Sequence, residues 1–116
     1  MNASVITCLI LLLLCGCSTP PAGAPTDLGD GFRRDHHPAF TIEEQQIITA
    51  ARQYLEQSYG KRMDAYYRVW HEPEGYVVMA LEVYQYDKKK PRFRVGSDFR
   101  VILRKDGTVS KVIPGM

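Results

Sequence analysis

The hydrophobic period of this chain changes at Gly60, and that change limits the fold more than any other feature of its 116 residues. Before Gly60, apolar side chains recur three and four residues apart: Ile47, Ile48, Ala51, Tyr54, Leu55 and Tyr59. That spacing puts them on one helical face, with Glu43, Gln46, Arg52 and Gln57 mostly on the other. After Gly60 the chain alternates, and it is rich in the aromatic and β-branched residues that suit a pleated surface. One helix followed by several strands is the pattern of an α+β domain whose helix covers one sheet face.

The helix carries punctuation at both ends. Thr41, with Glu44 three residues later, has the form of a capping box. Gly60 is placed to end the helix, with Lys61 and Arg62 behind it. Four strands are then expected. Met63 to His71 carries Tyr66, Tyr67, Val69 and Trp70, and Glu72-Pro73-Glu74-Gly75 is a turn signal. Tyr76 to Asp87 is the longest strand candidate. Val77, Met79, Leu81 and Val83 share one of its faces; Tyr76, Val78, Ala80 and Tyr84 share the other. With both faces partly apolar, this strand is expected at the centre. Ser97 to Arg104 follows, with Phe99, Val101 and Leu103 inward and Arg100 and Arg104 outward. Asp106-Gly107 is a hairpin signal, and Thr108 to Ile113 closes the sheet. The expected architecture is α+β: one N-terminal helix on a four-stranded antiparallel sheet, spanning residues 40–116. The face away from the helix would carry Tyr66, Tyr76, Tyr84 and Trp70. It reads either as a partner or dimer surface or as aromatic residues tolerated on a half-exposed sheet.

The N-terminal region has a different character. The apolar run from Val5 to Cys15 is short of the ~20 residues needed to cross ~30 Å of hydrocarbon. It has the length of a signal-peptide core. Leu14-Cys15-Gly16-Cys17 resembles the lipobox of bacterial lipoproteins, with small Gly16 at the scissile position and the Cys17 sulfur as lipid acceptor. Met1 to Ser4 carries no Lys or Arg, which departs from that pattern. An uncleaved signal anchor and an ordinary secretory leader are the competing readings. The lipobox resemblance implies a signal peptide over 1–16 and a lipidated N-terminus with a flexible tether over 17–39. The tether reading rests on the Pro-rich, small-residue composition of Ser18 to Pro25 and on the lack of a core pattern from Asp27 to His37. Removing the leader takes Cys8 and Cys15 with it, so no internal disulfide could form. The resemblance further implies a palmitate-bearing, lipid-anchored protein of the bacterial cell envelope. Ser18 after the cysteine implies the outer membrane, facing the periplasm.

The formal charge is +2, from 15 basic and 13 acidic residues, which points to no nucleic-acid partner. His36-His37 with Asp35 does not make a closed tetrahedral metal set. His71, Glu72 and Glu74 share an exposed turn, a poor place for a general base. There is no phosphate-cradling glycine loop. The expectation is a non-enzyme without cofactor or metal. The one concentrated chemical feature is Lys88-Lys89-Lys90-Pro91-Arg92-Phe93-Arg94. Its charges could meet an acidic protein, anionic lipid or a polyanion, or form a solvated tip that blunts a sheet edge. The candidate binding residues are Lys88, Lys89, Lys90, Arg92, Phe93, Arg94, Tyr66, Tyr76 and Tyr84.

Several of these segments together resemble a known group. Ala51 and Tyr54 on the helix, Tyr59-Gly60 at its end and Gly75-Tyr76-Val77-Val78 belong to the resemblance. So do Gly96, Phe99-Arg100-Val101-Ile102, Lys105-Asp106-Gly107-Thr108-Val109 and Pro114-Gly115. Over residues 42–115 the chain resembles small immunity proteins of the cystatin-like, nuclear-transport-factor-two-like superfamily. That resemblance implies a cystatin-like fold and a domain that binds and blocks a toxin or enzyme, with no catalytic residue to carry over. The combined expectation is a membrane-anchored envelope lipoprotein, held through lipid on Cys17, acting as a protein-binding module of inhibitor or immunity type. The alternative is a structural or assembly lipoprotein of an envelope or secretion complex.

Overall fold

A computed structural model describes residues 20–115. The expected signal peptide and the lipidation site Cys17 lie outside the described residues. The chain forms strands β1 (Asp27–Gly29) and β2 (Phe32–Arg33), then helix α1 (Ile42–Tyr59). Strands β3 (Ala65–Glu72), β4 (Gly75–Glu82), β5 (Gln85–Asp87), β6 (Lys90–Arg92), β7 (Asp98–Arg104) and β8 (Val109–Pro114) follow.

Helix α1 begins and ends where its capping residues dictate. Thr41 Oγ1 accepts from the Glu44 N–H at 3.0 Å, and the Glu44 carboxylate accepts from the Thr41 N–H at 2.9 Å. The box thus satisfies two backbone donors at the cap. Gly60 adopts φ 67°, the left-handed region where a Cβ would be strained, and donates to Glu56 O at 2.8 Å. Between the caps, Ile47, Ile48, Ala51 and Leu55 are buried. Tyr54 and Tyr59 belong to the same sequence period but lie at its margin, close to half exposed. Tyr59 still packs its ring on Phe99, with centroids 5.1 Å apart.

The fold is α+β, with one helix on a larger antiparallel sheet than expected. The main sheet has six strands in the order β1-β2-β3-β4-β7-β8, not four. Two extra strands come from the segment expected to be tether. Asp30 and Gly31 turn the chain with positive φ (55° and 85°), and Arg33 then pairs with Tyr67 on β3. The Asp27 carboxylate accepts from the Gly29 N–H at 2.7 Å and from Arg33 Nε at 2.9 Å, which closes the small hairpin. The other addition is a separate ribbon of β5 and β6 in the stretch that interrupts the alternation.

Cross-strand register decides which side chains meet the helix. Tyr67 pairs with Ala80, Val69 with Val78 and His71 with Tyr76; Val78 and Ala80 pair in turn with Val101 and Phe99. Tyr67, Val78, Ala80, Val101 and Leu103 join Ile48, Ala51 and Leu55 in the core. The residues of β4 that face α1 are therefore Tyr76, Val78 and Ala80, the reverse of the expected assignment. Val77, Met79 and Leu81 point the other way, paired with Trp70, Arg68 and Tyr66. Tyr76 sits on the helix side, with its hydroxyl hydrogen-bonded to the Glu43 carboxylate.

Candidate functional site

The basic segment is ordered into a ribbon. Gln85 pairs with Arg92, Tyr86 with Pro91 and Asp87 with Lys90. The two residues left at the tip, Lys88 and Lys89, have φ of 50° and 71°. A two-residue hairpin turn with positive φ at both positions matches strand twist, and it ordinarily favours Asn-Gly. Lysines there carry the turn at some conformational cost, offset by what anchors the ribbon below.

That anchor is a polar cluster. The Tyr86 hydroxyl donates to Asp64 Oδ2 at 2.6 Å, and Arg34 bridges both the Asp64 carboxylate and the Tyr86 oxygen. Arg34 also donates to Ala65 O at 3.0 Å, and its guanidinium lies 4.2 Å from the Tyr66 ring centroid. Burial pushes the Tyr86 phenol up, and its hydrogen bond to Asp64 adds to that shift. Burial works against the Arg34 charge, but the hydrogen bond with Asp64 and the Coulombic attraction of Asp64, Tyr66 and Tyr86 together outweigh it and raise the Arg34 pKa. The cluster joins the incoming N-terminal segment, the start of β3 and the ribbon.

The expected site residues separate into distinct environments. Arg92 pairs with Asp87 at 2.9 Å, and Arg94 lies 3.7 Å over the Tyr84 ring. Phe93 packs against Tyr66 in a T-shaped contact, with centroids 6.1 Å apart. Tyr66 does lie on the face away from the helix, but it is fully buried. Its hydroxyl donates to Pro25 O at 2.6 Å, and Arg34 and Phe93 cover its ring. Tyr84 lies beyond β4, half exposed beside the ribbon. The aromatic patch of Tyr66, Tyr76 and Tyr84 expected on one open face is therefore not assembled. Lys88, Lys89 and Lys90 remain exposed at the tip, with no ion pair among the described residues.

A second surface was missed in the sequence. On the face away from α1, register lines up Arg68, Met79, Arg100 and Ile113 in one rung and Trp70, Val77, Ile102 and Lys111 in the next. On the two middle strands, Met79, Val77 and Ile102 are apolar and Arg100 is the fourth side chain. Arg68, Arg100 and Lys111 supply cations, and no carboxylate lies in either rung. Arg68 stacks on Trp70, with its guanidinium carbon 4.6 Å from the ring centroid, and approaches Phe32 of β2 at 6.0 Å. Arg100 and Lys111 are exposed and Ile113 is 41% exposed. A groove of about 530 Å³ continues this face beyond Val77 and Ile102 toward the Glu72–Gly75 turn. The signal for this surface was the odd-even parity of β4, readable only once its register against β3 is known.

The remaining polar groups have local roles. His71 Nε2 lies 3.0 Å from Glu44 Oε2, His36 lies 3.5 Å from Asp35, and the His37 ring accepts from the Ala39 N–H. Among the described residues, no three His, Cys, Asp or Glu side chains gather as metal ligands, and no helix is long and apolar enough to cross a membrane. A scan against protein-family models and searches of the curated proteins and of the solved structures found no match.

Proposed function

We propose that this chain is a membrane-anchored envelope lipoprotein that works as a protein-binding module of inhibitor or immunity type, on a cystatin-like fold. The observation that carries the binding reading is the pair of rungs centred on Trp70, Met79, Val77 and Ile102. Tryptophan, methionine and arginine are the residue types enriched where protein interfaces bury their centres. Here they share one sheet face, with Arg100 among them and Arg68 and Lys111 on the flanking strands. A partner presenting apolar side chains flanked by carboxylates fits that surface. A second copy would bring Arg100 and Lys111 against like charges, which disfavours self-association.

The test is purification of the full chain from detergent-solubilised membranes. A stoichiometric partner is expected with the wild type and lost with Arg100→Glu/Lys111→Glu, both of which are exposed and leave the core intact. Trp70 is the single tryptophan of the chain, so partner addition should shift its emission. A wild-type chain that recovers no partner, or a partner indifferent to the double variant, defeats the reading. An envelope defect on deletion, with no such partner, would favour a structural or assembly lipoprotein instead.

A further inference from the structure

The lysine tip of the ribbon lies beside the N-terminal segment that leads back to Cys17. A Cβ built on Gly23 would stand 3.1 Å from Lys89 Cδ and 3.3 Å from its Nζ. Gly23 is six residues after Cys17, at most roughly 20 Å of extended chain. We infer that Lys88, Lys89 and Lys90 form the membrane-facing pole of the domain, resting on anionic lipid headgroups beside the anchor. This rests on the anchoring reading above, and goes beyond it by fixing which surface meets the bilayer.

Three observations favour a lipid surface over a protein here. First, the tip carries only lysine; its neighbouring cations are already engaged, Arg92 by Asp87 and Arg94 by Tyr84. Lysine is a hydrated point charge on a flexible stem, and it is depleted at the centres of protein interfaces. Second, the turn and the pair that closes it, Asp87 to Lys90, hold no apolar side chain, and Phe93 lies beyond them, packed on Tyr66 though still partly exposed. The contact is therefore electrostatic and stays at headgroup depth. Third, the turn is held by the Tyr86–Asp64–Arg34 cluster, so the three charges are presented together rather than on a loose loop. Each lysine near an anionic leaflet strengthens binding by roughly fivefold, on the order of a hundredfold for three, and salt removes it. With the tip on the membrane, the Trp70 face is left to a protein partner.

The test is amine acetylation of the full chain in nanodiscs, read by mass spectrometry. Nanodiscs of phosphatidylcholine alone are compared with nanodiscs containing phosphatidylglycerol. Lys88, Lys89 and Lys90 should label several-fold more slowly in the anionic discs, relative to Lys105 and Lys111, and the difference should vanish in high salt. Equal labelling in both lipids overturns the inference, as does protection of Lys111 instead, which would put the sheet face on the bilayer. A tip protected only by an added acidic peptide would make it a protein site and also overturns it. Lys88→Asn/Lys89→Gly removes two charges while supplying residues that accept positive φ. It should abolish the lipid-dependent difference with the ribbon kept. The anchoring reading is judged separately, by flotation of wild type and Cys17→Ala on phosphatidylcholine vesicles. If both float alike, anchoring at Cys17 fails. The tip then stands or falls on lysine-dependent binding to phosphatidylglycerol vesicles.

Discussion

The Tyr66 hydroxyl donates to the carbonyl oxygen of Pro25 at 2.6 Å, tying the middle of the sheet to a segment forty-one residues earlier. The Tyr66 ring packs against the Arg34 guanidinium and the Phe93 ring. It is the point at which the N-terminal segment, the sheet and the ribbon approach one another. Tyr66→Phe keeps the ring and removes the bond. It should cost about 0.5–1.5 kcal/mol in urea unfolding and speed proteolysis within residues 20–34.

Asp64→Asn tests the ribbon anchor. It removes the charge that Arg34 and Tyr86 share. Loss of roughly 1–3 kcal/mol is expected, with faster amide exchange at the ends of β5 and β6 than elsewhere. Unchanged exchange in the ribbon would mean that backbone pairing alone holds it.

Alkaline pH should weaken the fold through two tyrosines. Burial raises the folded-state pKa of both Tyr67 and Tyr86. A raised pKa means that the folded state holds its proton when the unfolded chain has released it. The stability from these groups is therefore complete below about pH 10, the value in an unfolded chain, and falls as pH rises beyond it. Urea midpoints measured from pH 8 to pH 11 should fall more steeply in wild type than in Tyr86→Phe. Tyr67 has a buried hydroxyl without a hydrogen-bond partner among the described residues. Tyr67→Phe should therefore be neutral or stabilising at pH 7.

On the acid side the helix cap is the sensitive point. Burial works against the Glu44 charge, but the Thr41 N–H and His71 outweigh it and hold the carboxyl below its usual range. A lowered carboxylate pKa contributes stability above the unfolded value of about 4.3, and that contribution is lost as pH falls through the folded value. Glu44→Gln should flatten the stability profile below pH 5. Thr41→Ala should cost about 1 kcal/mol at neutral pH.

Two glycines should respond differently to substitution. Gly60 has open space around its absent Cβ, so Gly60→Ala meets only the left-handed backbone cost of about 1–2 kcal/mol, and Asn should recover part of it. A Cβ on Gly75 would lie 2.0 Å from Leu103 O, at φ 155°. Gly75→Ala forces β4 and β7 apart, and Asn should rescue nothing. Thermal melts of the four variants check this directly.

The helix was readable because its evidence is local. Thr41, Glu44, the Ile47–Leu55 stripe and Gly60 all lie within one stretch, and each acts within about a turn of its neighbours. The Asp106-Gly107 turn was readable for the same reason. What failed depended on distance. Tyr66 and Tyr67 are both buried, at 0% and 1% exposure, because the helix covers one and the Pro25–Arg34 segment covers the other. Alternation within the strand cannot say which side is which. The parity of Tyr76 and Val77 follows from pairing with His71 and Trp70, a relation between strands. The β1–β2 hairpin carried the same Asp-Gly signature as Asp106-Gly107, but with too few apolar flanking residues to announce strands. The Lys88-Lys89 turn lacked the residues its geometry usually selects, so the ribbon showed only as an interruption.

The strand order β1-β2-β3-β4-β7-β8 follows the chain, with only the ribbon set aside. Each pairing closes over a short loop, except that between β2 and β3, which spans the helix, and that between β4 and β7, which spans the ribbon. Closing short loops loses little chain entropy, and local pairing favours rapid folding. No strand has to wait for a partner from the far end of the polypeptide. The domain can therefore assemble progressively, hairpin upon hairpin, while the rest of its chain is still being delivered.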